Sequence, residues 1–387
     1  MGVLRSFVEY AIIYGVKREN PFPTTGYDGP ETFCDRERET EELVSAMENG
    51  RNVTLIAPRR YGKTGLIRNM MQALPKRYDT VYLDIYATES LADFVRLFAE
   101  SVVTSLETKK EKVVSVLGRF FGGLRPSVSP QADGSLKWSF DVAQPVVKAS
   151  LEGAFSFLKS RERPVVIAID EFQQVRKYPE GNAEALLRSY IQFLPNVRFV
   201  FAGSQLHLMS GMFVSPRGAF YNSTDIMTLD VIDRRKYRAF AERFFADEGM
   251  QFSKRAFDDL YARFDGITWY VQSVLNRIWQ RGAGFRGKKD TEESVRWLVD
   301  NRNLVYFDLL RSQGEASRAV LRAVAEEGVV REPMGKAFLG RHSLGAASTV
   351  ASVLENLIDR ELLYRSGDGY VVYDRLFALW LKRLAMK

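Results

Sequence analysis

One eight-residue stretch constrains this chain more than any other: Ala57-Pro58-Arg59-Arg60-Tyr61-Gly62-Lys63-Thr64. It follows an apolar run at 52–56 and opens a helical period at 64–73. A strand running into a Gly-Lys-Thr loop and then a helix makes a phosphate cradle, because the backbone N–H groups at the helix start point at phosphate oxygens. Gly62 permits close backbone approach, and Gly65 continues the loop into the first helical turn. Lys63 is expected on the β- and γ-phosphates, and Thr64 offers its hydroxyl to Mg2+. Ala57 stands where the pattern carries glycine, which a methyl tolerates while φ stays negative. Arg59 and Arg60 place unusual positive charge inside the loop. Each either contacts phosphate or a neighbouring element, or points to solvent or a carboxylate.

Further apolar runs at 81–84, 165–169, 197–202 and 225–229 alternate with helical periods at 91–106, 146–160 and 183–193. Such alternation predicts a parallel α/β sheet covered on both faces. The run 165–171 (VVIAIDE) delivers Asp170 to the carboxyl end of a central strand, where open α/β sheets bind ligands. Asp170 is expected to orient Mg2+ through water, and Glu171 to polarise an attacking water. The competing reading is a helix-capping acid pair. The next strand ends Ala202-Gly203-Ser204-Gln205. Ser204 or Gln205 fits a γ-phosphate sensor, with Ser204 as a helix N-cap the alternative. Gln173 is placed to couple the acid pair to that strand. No Asn-Lys-x-Asp motif occurs, which favours ATP over GTP.

After about residue 233 the strands give way to helices, and near the C-terminus helix, helix, helix and hairpin follow in winged helix order. The Asp368-Gly369 step signals that hairpin's turn, and Asp133-Gly134 signals another within 126–142, read as an edge hairpin or a partner-contacting insertion. Residues 1–19 read as a helical extension that docks rather than spans, being short and interrupted by Glu9. No apolar run approaches the roughly 20 residues a membrane span needs. One cysteine (Cys34) and two histidines leave no internal disulfide and too few soft ligands for structural zinc. A cytoplasmic protein without membrane contact is expected. The net charge of +7 permits an anionic partner without requiring one.

Residues 33–39 (FCDRERE), the APRRYGKT loop, IDEFQ and FAGSQ together resemble the archaeal and bacterial "ATPase domain" proteins of the STAND branch of AAA+-like P-loop ATPases. The resemblance covers residues 20–387. It implies a five-stranded parallel P-loop NTPase sheet at 20–232, a helical lid at 233–312 and a winged helix at 313–387. It also implies that Phe33, Arg36 and Glu37 lie beside the adenine. The family's lid has a glycine-x-proline step; this chain has Gly266-Ile267-Thr268. Related proteins place a phosphate-reaching base near Arg217, which could act across a subunit interface in an oligomer or be a surface loop arginine; Arg188 is a weaker candidate.

The implied function is an ATP-hydrolysing, Mg2+-dependent switch that relays ATP or ADP occupancy to a protein partner. A DNA-associated ATPase and a nucleotide-dependent scaffold without turnover are the alternatives. Helix 346–360 decides between protein and DNA on charge. Its expected exposed face (Ser348, Thr349, Ser352, Glu355, Asn356, Asp359) has two acids and no base before Arg360. DNA affinity rests on bases that neutralise phosphates, so a protein-facing surface is favoured. Arg331, Lys336, Arg341 and Arg365 keep DNA open.

Overall fold

The computed structural model describes residues 19–107, 116, 124–130, 136–142 and 147–385. All but the last residue of the expected N-terminal extension lies outside them. The chain divides into two compact units, residues 21–240 with 266–270, and residues 241–265 with the chain from 271 onward.

The first unit holds strands β1 (Val53–Ile56), β2 (Asp79–Asp84), β3 (Leu124–Pro130), β4 (Leu136–Val142), β5 (Val165–Asp170), β6 (Val197–Gly203) and β7 (Asp225–Thr228). Its helices are α1 (Glu37–Glu48), α2 (Lys63–Ala73), α3 (Leu91–Leu106), α4 (Val147–Lys159), α5 (Ala183–Ile191) and α6 (Leu206–Phe213), with the start of α7 (Arg234–Asp247). Five strands form one sheet in the order β2-β5-β6-β1-β7, every neighbouring pair parallel. β3 and β4 form the expected hairpin as a separate antiparallel pair, and α3 packs against it.

Residue alternation along β5 and β6 builds the two faces of the sheet. Ile167, Ile169, Phe199 and Phe201 point into a core with α3, α4 and α6. Their neighbours Val166, Ala168, Val200 and Ala202 point into a second core with α1 and α2. Successive strand residues face opposite sides, so a doubly covered strand must be apolar throughout. The large residues fall on one side and the small ones under α2, which lets the phosphate-loop helix sit close to the sheet.

The second unit contains the rest of α7, then α8 (Lys254–Arg263), most of α9 (Thr268–Gln280), α10 (Lys288–Asp300) and α11 (Asn303–Arg311). There follow α12 (Glu315–Glu327), α13 (Lys336–Arg341), α14 (Ala347–Asp359), β8 (Leu363–Ser366), β9 (Gly369–Val372) and α15 (Arg375–Ala385). The hairpin turns at Gly367-Asp368 within the expected span 366–369, and Gly369, paired with Ser366, begins β9. There its φ is +140°, and a Cβ would lie 2.5 Å from the carbonyl oxygen of Val330, a residue that pairs with Tyr370 in an isolated antiparallel bridge. On α14, Val350, Leu354 and Leu357 are buried, and the expected face of Ser348, Thr349, Ser352, Glu355, Asn356 and Asp359 is exposed. Among the described residues, no helix is long and apolar enough to cross a membrane.

Just past β5, Phe172 inserts into an aromatic cluster, with ring centroids 4.6 Å from Phe201 and 5.5 Å from Phe220. Phe213 completes it, 5.3 Å from Phe201. Phe172→Ala should therefore destabilise the protein by about 3–5 kcal/mol, measured from the urea midpoint. A loss under about 1 kcal/mol would mean the cluster collapses around the gap.

Candidate nucleotide-binding site

The loop's shape follows from two left-handed residues, Arg60 (φ 74°) and Gly62 (φ 94°), the latter at the N-cap of α2. Ala57 is not among the left-handed residues, so its methyl costs nothing there. Its N–H donates to the Gly203 carbonyl at 3.3 Å, tying the loop to the end of β6. Lys63 is 6% exposed, and its Nζ donates to the Ala57 carbonyl at 3.0 Å, closing the loop on itself. A buried ammonium needs such an acceptor, and a phosphate would be a stronger one.

Thr64 Oγ1 donates to Asp170 Oδ2 at 2.7 Å, and the Tyr82 hydroxyl donates to the same oxygen at 3.1 Å. The Glu171 N–H takes Oδ1 at 3.0 Å, so this 2%-exposed carboxylate is well supplied with donors. Burial and the charge of Asp170 push the Tyr82 phenol up, which keeps it protonated as a donor. The Arg68 guanidinium lies 3.7 Å over the Tyr82 ring and fixes it from the other side.

Glu171 adopts a left-handed conformation (φ 56°) that turns its side chain away from the strand direction. Ser204 Oγ donates to its Oε2 at 2.7 Å, and Gln173 Nε2 donates to the same oxygen. Gly203 leaves room for this arrangement, since a Cβ there would lie 2.4 Å from Gln173 Oε1. The structure therefore gives the Ser204 hydroxyl to Glu171, while the N-cap of α6 falls on Gln205, which is buried and caps with no side-chain hydrogen bond.

The remaining expected residues fall in different places. Phe33 lies against the phosphate-loop helix, where a Cβ on Gly65 would be 3.1 Å from its ring, and it meets Tyr27 edge-on. Arg36 is buried and left-handed, with its guanidinium committed to Glu39 at 2.7 Å and to the Asp230 carbonyl. Glu37 is exposed, 3.8 Å from Lys236. Pro58 is partly exposed, and Tyr61 packs against the core under α2. Arg59 lies 5.1 Å from the exposed Tyr86 ring. Arg60 stacks on Trp269 and Tyr270. Arg188 is tied to the Ala219 carbonyl at 2.6 Å, and Arg217 is exposed in the loop that Arg188 anchors.

Two family models match the chain. One describes an ATPase domain predominantly from Archaea and covers residues 33–274, more than half of the sequence. The other describes a probable winged helix domain and covers residues 304–383. No curated protein matches. Among solved structures, the Walker-type ATPase PABY2304 of Pyrococcus abyssi is similar over 94% of this chain and 99% of its own, with 17% identity and a TM-score of 0.65. The Aeropyrum pernix ORC2 protein is similar over 96% and 99% of the two chains, with 12% identity and a TM-score of 0.58. The A. pernix ORC1 protein, solved in complex with DNA, covers 92% and 94% at 15% identity and a TM-score of 0.53. At such identities the likeness speaks to the fold.

Sequence reasoning missed one acidic group at the site. Asp84 ends β2 and is the register partner of Asp170. Its signal was a strand ending in an acid, but only sheet order shows which strand lies beside β5. Desolvation raises the Asp84 carboxyl above its ordinary value of 3.8, and Asp170 and Glu171 add to this against the Tyr86 N–H. An acid raised on folding contributes stability that is fully present below 3.8 and is lost as the pH rises through the raised value. Asp84→Asn should therefore raise the melting temperature of the nucleotide-free protein at neutral pH, and that gain should vanish on acidification towards 3.8. An equal gain at both pH values would exclude this electrostatic cause.

Proposed function

Because the chain belongs to the family of ATPase domains predominantly from Archaea, we propose that loop 57–64 binds ATP with Mg2+ and that slow hydrolysis there resets a STAND-type switch read by a protein partner. One observation carries this reading. Lys63, Thr64, Asp170, Glu171 and Ser204 meet at the carboxyl ends of neighbouring strands, with Thr64 bonded to Asp170 and Ser204 to Glu171.

The donor set fits Mg2+, which prefers hard oxygen ligands and keeps several of its waters. Thr64 and Asp170 would hold it, and when bound it neutralises charge on the β- and γ-phosphates. Lys63 exchanges the Ala57 carbonyl for phosphate oxygens. Glu171 polarises the attacking water through Oε1, because Ser204 and Gln173 both occupy Oε2 and fix the carboxylate plane. The water oxygen bonds to the γ-phosphorus as its proton passes to Glu171, the bond to the bridging oxygen breaks with its electron pair leaving on ADP, and ADP and phosphate depart.

A protein partner is favoured by the exposed face of α14, which presents Glu355 and Asp359 and no base. A second reading, duplex DNA, draws on the likeness to the DNA-bound A. pernix ORC1 structure and on exposed Arg331, Lys336 and Arg365. A steep loss of binding between low and physiological salt would mark that electrostatic contact.

Lys63→Ala should weaken ATP binding about 10–100-fold in calorimetry, the worth of charge-assisted hydrogen bonds to phosphate. Glu171→Gln should keep ATP affinity and slow phosphate release by at least about 100-fold. Turnover at the wild-type rate in Glu171→Gln would remove Glu171 from the water-activating role.

A further inference from the structure

We propose that Arg60 is a positioning residue: its stack on Trp269 and Tyr270 holds the phosphate loop in its binding conformation and couples that loop to residues 266–270. The inference rests on the nucleotide-binding reading above.

Arg60 is a non-glycine residue held left-handed at φ 74°. That conformation is disfavoured for any residue with a Cβ, so it persists only where surrounding contacts over-determine it. One dipeptide supplies several such contacts. The guanidinium carbon lies 4.6 Å from the Trp269 ring centroid and 4.8 Å from that of Tyr270. Nη1 donates to the Tyr270 hydroxyl. The Arg60 carbonyl accepts the Trp269 N–H at 3.1 Å. Side chain and backbone of the same loop residue are thus fixed together.

The dipeptide is itself anchored. Trp269 Nε1 donates to the Thr24 carbonyl at 3.0 Å, and the Tyr237 hydroxyl donates to the Thr268 carbonyl at 3.2 Å. Residues 266–270 pack with the first unit, whereas the chain from Val271 belongs to the second. An arginine of the loop reaches residues 266–270.

Binding linkage runs both ways. If the stack shapes the loop, phosphate in the loop must alter the stack. The test measures ATP affinity by calorimetry and the 19F resonance of 5-fluorotryptophan at Trp269, assigned by its loss in Trp269→Phe. Arg60→Ala should weaken ATP binding about tenfold, and Arg60→Gly markedly less, because glycine adopts the left-handed conformation without penalty. Leucine at both 269 and 270 should match Arg60→Ala, and combining all three changes should add little. Tyr270→Phe, which keeps the ring, should restore most of the affinity. ATP should shift the Trp269 resonance in the wild type and not in Arg60→Gly.

A phosphate-contacting Arg60 would instead give equal losses for alanine and glycine, with no effect of the ring substitutions, and that pattern overturns the proposal alone. Wild-type protein that binds no ATP would overturn the nucleotide-binding reading beneath it.

Discussion

Thr64 and Asp170 stand 106 residues apart and share one hydrogen bond of 2.7 Å. That juxtaposition ties the start of the phosphate-loop helix to the end of β5. It requires the helix after β1 to begin beside the end of β5, although β6 lies between those strands. Parallel pairing brings the carboxyl ends to one side, and the small residues Ala168, Val200 and Ala202 let α2 approach the sheet. A larger residue at any of them would push the loop away from the carboxylate it must face.

The acid pair behaves as two differently held groups. Asp170 is buried and receives donors on both oxygens. Glu171 receives the Ser204 and Gln173 donors on one oxygen, Oε2. Adjacent residues on one strand end separate this way because Glu171 leaves the extended conformation at φ 56°. Backbone geometry, more than residue identity, gives the two acids their different surroundings.

Much of this site was legible in the sequence because it is written locally. The loop, the buried strands and the acid pair each occupy a few consecutive residues with a recognisable period. The ATPase family and the α/β fold with a C-terminal winged helix follow from those signals. What stayed hidden depends on long-range pairing. Asp84 joins the site only because β2 lies against β5. The partners of Arg60 lie about two hundred residues downstream, and nothing in RRYG names them. The tie from Arg36 to the Asp230 carbonyl is equally non-local, so a charged helix start gave no hint of a buried tether. The wing turn falls within 366–369 as expected, while the close fit of Gly369 against the Val330 backbone is non-local and had no signal there.

The boundary between the two units crosses the sequence more than once. Residues 241–265 leave the first unit, and residues 266–270 return to it before the chain departs again. The units are therefore distinct in packing without being separable by a single cut. A fragment ending at Phe240 would retain every residue of the phosphate loop and every acid at the strand ends. It would nonetheless lose the two rings that hold Arg60. Dissection at the apparent boundary would yield a piece with an intact motif and an unsupported loop, and its weakness would misrepresent the whole chain.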